Sequence, residues 1–286
     1  MKCYKILSLL CLLCYYVQSA PIKVLVSVLP QKEMLELIGG EHIEVEVLIP
    51  PAKSPEIYEP NIEQMKHIAK AQVFFGVGMP FEATWLKRFT HINPTLIYHN
   101  LSNPTNAHNH SHNPHIWLSA QSVQPQISLI SSLLSRIDPL HAEAFKQAST
   151  KLLSKLERIT QQTHTLFAQP IAQKHFITYH PAFGEFARDF GLYEYSFEHD
   201  GKELKAQGLN QLLTHIKEKH IKVIFTQPQF ASSRIQSFAN ALNLRILSLD
   251  PLSQSWLLSL QSNACQIAFS LALDEVSSCM QTYFKD

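Results

Sequence analysis

Short β-rich apolar runs alternate with longer helical patterns in two series along this chain, and a stretch with no strand pattern separates them. The runs that predict strands span residues 22–28, 43–49, 73–75 and 96–98, then 176–179, 223–226 and 244–249. Helical spacing predicts helices over 31–38, 62–69, 82–88, 207–219, 233–242 and 256–284. The first of these stops at Gly39–Gly40, as a helix C-terminus does. Alternation of this kind builds βαβ units and mainly parallel sheets. In the strandless stretch, 122–169, Asp138–Pro139 reads as one helix ending and another beginning, with Asp at the N-cap and Pro at the first helical position. Beyond it Leu140, Ala144, Ala148, Leu152, Leu156, Ile159 and Leu166 recur at helical spacing, enough for a helix of about 40 Å. The expected fold class is α/β: two (β/α) lobes with mainly parallel sheets, joined by one long backbone helix. The expected bounds are 20–138 for the first lobe, 139–168 for the connecting helix and 169–286 for the second lobe.

The first nineteen residues read as a cleaved signal peptide. Lys2 and Lys5 precede an apolar run over 6–17, too short to span a bilayer, and Val17 and Ser19 occupy the positions of a signal-peptidase site before Ala20. Cys11 and Cys14 follow Leu10 and Leu13, which a lipidation site disfavours, so no lipid anchor is expected. Export of a mature protein to the periplasm follows. Only Cys265 and Cys279 survive cleavage; on one continuous helix they would lie about 21 Å apart, so two buried thiols are expected unless that helix breaks. Removing Lys2 and Lys5 from the 24 basic residues leaves 22 against 23 acids, which excludes the basic footprint of a nucleic-acid binder.

Four of the 15 histidines fall in the run H-N-H-S-H-N-P-H-I-W. Asn, Ser and Pro between them forbid packed structure, so 106–113 reads as an exposed loop. Apolar Ile116 and Trp117 anchor His115 as a fixed metal ligand, whereas His108, His110 and His112 are auxiliary. In α/β sheets ligands gather beyond the carboxyl ends of strands. Glu56 follows the second strand run, His115 the fourth, His180 the fifth and Asp250 the last. A mixed nitrogen and oxygen set drawn from both lobes suits a metal site at a cleft.

The segments I-Y-E-P-N, A-Q-V-F-F-G-V-G, N-P-H-I-W-L-S, Y-H-P-A-F-G-E-F-A-R-D-F-G-L, F-T-Q-P-Q-F-A-S-S-R and L-S-L-D-P-L occur in that order. Together they resemble the metal-binding solute-binding proteins of bacterial ABC importers, the zinc- and manganese-uptake family. The resemblance covers almost the whole mature chain. It implies two (β/α) lobes joined by a long helix with a metal held between them, and a monomer that docks on a membrane permease with a cytoplasmic ATPase. It implies His115 and His180 as imidazole ligands and Asp250 as a carboxylate ligand or close neighbour. The family carries its first ligand, a His, two residues before the Tyr of Y-E-P, where this chain has Glu56. Glu56 then binds directly, or a residue such as His112 fills the gap, or water does.

His180 and the His-rich loop resemble the zinc-type members, so zinc is the expected cargo. A two-nitrogen, two-carboxylate set leaves manganese and ferrous iron open. The rival class is a secreted zinc hydrolase with Glu56 or Glu185 as general base. The chain has no H-E-x-x-H pair, and four protein ligands would close the position that a catalytic zinc keeps open. G-V-G-M-P-F hints at a dinucleotide fingerprint, but Phe81 stands in place of its third glycine.

Overall fold

A computed structural model of the chain describes residues 20–51, 53–102, 114–170, 173–199, 202–230, 233–271 and 276–284. The expected signal peptide and the His-rich loop at 106–113 lie outside the described residues. In the first lobe, strands β1 (Ile22–Val26), β2 (Ile43–Val47), β3 (Val73–Gly76) and β4 (Ile97–Asn100) form a parallel sheet in the order β2-β1-β3-β4. Between and after them run helices α1 (Leu29–Gly39), α2 (Ile62–Lys70) and α3 (Pro80–Ile92). Helix α4 (Gln124–Ile137) ends at Asp138, and α5 (Ala142–Phe167) follows after a 3-10 turn over Pro139–His141.

The second lobe repeats the plan. Strands β5 (His175–Thr178), β6 (Tyr193–Ser196), β9 (Val223–Thr226) and β10 (Arg245–Ser248) form a parallel sheet in the order β10-β9-β5-β6, and β7 (Glu198–His199) pairs with β8 (Lys202–Glu203) as a small antiparallel ribbon. Helices α6 (Gly184–Asp189), α7 (Ala206–Glu218), α8 (Ser233–Ala241), α9 (Trp256–Ser270) and α10 (Val276–Tyr283) complete it. In both sheets the first strand in sequence lies between the second and the third, so each lobe has a switch point beside its first strand, where α/β folds open a ligand crevice.

The expected α/β architecture is the one observed, with α5 as the long helix. Its 26 residues reach about 39 Å. The face it buries, Phe145, Leu152, Leu156, Ile159 and Leu166, packs on α1, α4, α9 and α10. At its start the expected apolar positions are not the buried ones: Leu140 is exposed and Phe145 takes the core place. A single hydrophobic core joins Leu25 and Phe75 of the first sheet, Trp117, Leu156 and Trp256 between the lobes, and Phe176 and Phe225 of the second sheet. A second cluster around Ile177, Leu212, Ile224 and Ile235 involves α7 and α8.

Two sequence expectations are corrected here. Cys265 and Cys279 are not separate thiols but a disulfide, with their Cα atoms 5.7 Å apart. The helix expected over 256–284 stops at Ser270 and restarts at Val276, so the chain folds back and brings the second cysteine beside the first. Strand β6 went unpredicted because Y-E-Y-S alternates polar and aromatic residues at a sheet edge and contains no apolar run.

The G-V-G-M-P-F loop is occupied by a side chain of the protein itself. Buried Glu82 fills it from within, accepting from the amides of Val77 and Gly78, from Ser27 Oγ and from Tyr98 Oη. A Cβ on Gly76 would collide with that carboxylate, and Gly78 has φ +77°, a conformation that side chains rarely adopt. Among the described residues no helix is long and apolar enough to cross a membrane.

Candidate metal centre

Three side chains from three separate loops converge at the carboxyl ends of the two sheets. Glu56 lies in a 3-10 turn over Pro55–Ile57, in the loop after β2. Tyr58 Oη donates to Leu48 O at 3.0 Å and holds this loop against the strand end. Ser54 Oγ donates to Glu56 Oε2 at 2.5 Å, leaving Oε1 to face the imidazoles.

His115 precedes the turn Ile116–Leu118, whose three residues are all buried. Its ring stands edge-on to Trp117 with centroids 5.3 Å apart. Trp117 in turn donates from Nε1 to Pro251 O at 2.7 Å, and Trp256 Nε1 donates to Trp117 O at 2.8 Å. The apolar anchoring expected for His115 is therefore provided by a pair of buried tryptophans that ties the two lobes together.

His180 follows β5 at the switch point of the second sheet. The Gln227 side chain, beyond β9, grips its backbone from both sides: Oε1 accepts from His180 N at 3.2 Å and Nε2 donates to His180 O at 2.8 Å. On the ring, Nδ1 donates to Glu198 Oε1 at 2.5 Å. That bond selects the tautomer whose Nε2 lone pair faces the centre, an arrangement that orients metal-bound histidines and raises their basicity.

Glu56 Oε1 lies 2.9 Å from His180 Nε2 and 3.4 Å from His115 Nε2, and the two Nε2 atoms are 3.3 Å apart. Ligands at 2.0–2.1 Å around a tetrahedral zinc ion lie about 3.3 Å from one another, so these atoms outline one face of such a polyhedron. Glu56 Oε1 is buried, and the polar groups that approach it are the two imidazole nitrogens. Two imidazole nitrogens and a carboxylate oxygen converging in one buried space suit a divalent cation. Among the described residues Glu56, His115 and His180 are the group whose ligand atoms gather in this way.

The electrostatics agree. Burial alone would raise the Glu56 carboxyl, but the two imidazoles outweigh it and hold it well below the usual carboxylate range. Burial also disfavours a charged His180; the Glu198 and Glu56 carboxylates overcome this and push it up to about 9. His115 is held down, first by burial and also by the charge on His180. Without a cation, then, His180 carries a proton between two carboxylates. The cavity they enclose has a volume of about 10 Å³, with Pro55, Gln229, Pro251 and Leu252 completing its wall.

Asp250, expected as a ligand or close neighbour, is not gathered into this group. Its Oδ1 accepts from Gln229 Nε2 at 3.2 Å and from Leu252 N at 3.0 Å, so it supports two residues of the cavity wall. His108, His110 and His112 lie outside the described residues. Glu198 and Gln227 escaped the sequence reading. Gln227 sits just past a strand end and the positional rule that singled out His180 reaches it, whereas Glu198 follows an edge strand that was not predicted.

Residues 24–269 match the family described as the periplasmic component A of the zinc-uptake complex. The chain belongs to this family. It is 26% identical over 218 residues to a putative metal-binding protein of Treponema pallidum (strain Nichols), a match covering 68% of each chain. To the high-affinity zinc uptake system protein ZnuA of Bacillus subtilis (strain 168) it is 25% identical over 227 residues, 72% of this chain and 70% of the relative. A crystal structure of ZnuA superposes with a TM-score of 0.81 at 30% identity, covering 87% of this chain and 99% of that one. Family membership thus accords with the resemblance in the sequence, with the two-lobed fold and with a buried cluster of groups able to hold a metal ion.

Proposed function

We propose that this protein is an extracytoplasmic solute-binding protein that captures a divalent cation, zinc foremost, between its lobes and delivers it to an ABC permease for import. The observation that carries this reading is the convergence of Glu56 Oε1, His115 Nε2 and His180 Nε2 within one buried cavity. His115 comes from the first lobe and His180 from the second, so a bound ion bridges the two. Zinc is favoured over manganese and ferrous iron by its higher intrinsic affinity for such ligands and by the zinc named for the family and for its Bacillus relative. Export through the signal peptide places capture in the periplasm, and the ATPase bound to the permease supplies the energy for transport. The continuous core around α5 and the tryptophan pair limits lobe movement to a modest tilt. The histidines at 108, 110 and 112, next to His115 in sequence, collect zinc for the fixed site.

A hydrolase needs room for a substrate beside the metal. A cavity of about 10 Å³ scarcely admits a water molecule, which supports binding over catalysis. The test is metal content by elemental analysis with zinc titration calorimetry, on the wild type and on His180→Ala. One tightly held zinc per wild-type chain, lost in the variant, is expected. A wild type that holds no zinc, or a variant that holds it equally well, overturns the reading.

A further inference from the structure

The two ligand-bearing segments are joined a second time, away from the metal. Ser119 lies four residues beyond His115, past the buried turn Ile116–Leu118, and Asp189 ends helix α6, which follows the His180 loop. Asp189 Oδ2 accepts from Ser119 Oγ at 2.6 Å and from Ser122 Oγ at 2.5 Å. Ser119 Oγ itself accepts from the amides of Gln121 and Ser122, at 3.3 and 3.2 Å, which orients its proton toward the carboxylate. On the other side Arg188 holds Asp189 Oδ1 at 3.1 Å and Glu185 Oε2 at 2.5 Å, and it donates to Ser122 Oγ at 3.2 Å. The Asp189 side chain is only 5% exposed and Ser119 is fully buried, although the Arg188 side chain is 64% exposed.

We propose that Asp189 is a positioning residue: with Ser119 and Ser122 it forms a latch between the lobes that keeps His115 within ligating distance of His180 and so sets the residence time of the bound metal. This inference rests on the metal-binding reading above. None of the three side chains belongs to the cluster of Glu56, His115 and His180. A carboxylate receiving two hydroxyl protons is a charge-assisted arrangement, and here the carboxylate stands on one lobe and both hydroxyls on the other. All three groups regain water if the lobes part, so the contact is reversible. The tryptophan pair, by contrast, is buried in the shared core and holds whether or not the latch is closed. Because the latch favours the closed state, breaking it lowers the fraction of protein competent to retain metal, and the loss falls on the off-rate.

The test uses the full mature chain, measuring zinc dissociation into excess chelator by stopped flow together with zinc association. The cobalt(II)-substituted protein reports ligand identity through its visible absorption bands. In Asp189→Asn, and in the double variant Ser119→Ala with Ser122→Ala, zinc should leave roughly 10- to 100-fold faster. Association should change little, and the cobalt bands should keep their positions because the ligands are unchanged. An off-rate equal to wild type in a folded Asp189→Asn protein overturns the latch and leaves the metal site standing, even if thermal stability falls. Shifted cobalt bands also overturn it, since Asp189 would then act on the ligand set itself. A wild type without zinc binding overturns both readings. Asp189→Asn is nearly isosteric and serves if the double variant does not fold.

Discussion

Glu198 Oε1 lies 2.5 Å from Nδ1 of His180, on the side of the ring opposite the nitrogen that faces Glu56 and His115. The pair couples a proposed ligand to a buried carboxylate that is not itself at the centre. It makes His180 a stronger donor and gives the site a negative charge to set against the cation.

Replacing Glu198 with Gln keeps a hydrogen-bond acceptor but removes the charge. Zinc affinity should fall roughly 10- to 100-fold while the stoichiometry stays at one, as titration calorimetry with a competing chelator would measure. Unchanged affinity would mean that the contact serves the fold alone.

Metal and proton compete for His180. With its value raised to about 9, His180 is protonated at neutral pH in the metal-free protein, so zinc must displace that proton. Calorimetry in two buffers of different ionisation enthalpy should show proton release on binding, and affinity should decline as pH is lowered from about 9. The same shift has a stability consequence. A histidine raised from 6.5 to about 9 contributes stability that is complete below 6.5 and lost as pH climbs through about 9. Melting curves of the metal-free protein should therefore fall over that window relative to the zinc-loaded protein.

Glu56 stands where the family carries its first histidine ligand. Glu56→His supplies a third imidazole, and zinc binding should be retained while manganese binding weakens about tenfold or more, since carboxylates suit manganese better than imidazole does. Competition between the two ions, followed by elemental analysis, checks this. Glu56→Ala should weaken both.

The Cys265–Cys279 disulfide closes a short loop between α9 and α10, with the two cysteines 14 residues apart. Loop-closure entropy assigns such a bond about 3 kcal/mol. For a chain of this size, reduction should lower the Tm by roughly 6–12 °C. Zinc stoichiometry at 25 °C should not change, because neither cysteine belongs to the ligand cluster. Parallel melts with and without reductant, each with zinc bound, separate the two effects.

Much of this protein was legible along the chain. The period of its apolar residues located strands β1 to β5, β9 and β10 and the long helix α5, because burial on one face is a local, repeating demand that sequence records directly. The rule that ligands follow strand ends then singled out Glu56, His115 and His180, which the fold brings together. Other features depended on partners remote in sequence. Glu198 reaches His180 across 18 residues from the short ribbon that follows an edge strand without an apolar run, and His180 meets His115 across 65. Asp250 obeyed the same strand-end rule but turned its carboxylate to Gln229 and Leu252. The cysteines pair only because a helix whose apolar pattern ran on stops at Ser270. Local pattern determined what each segment would become and which side chains stood at its end. The tertiary structure alone decided which of those side chains share a cavity, since that depends on how packed helices set one strand end against another.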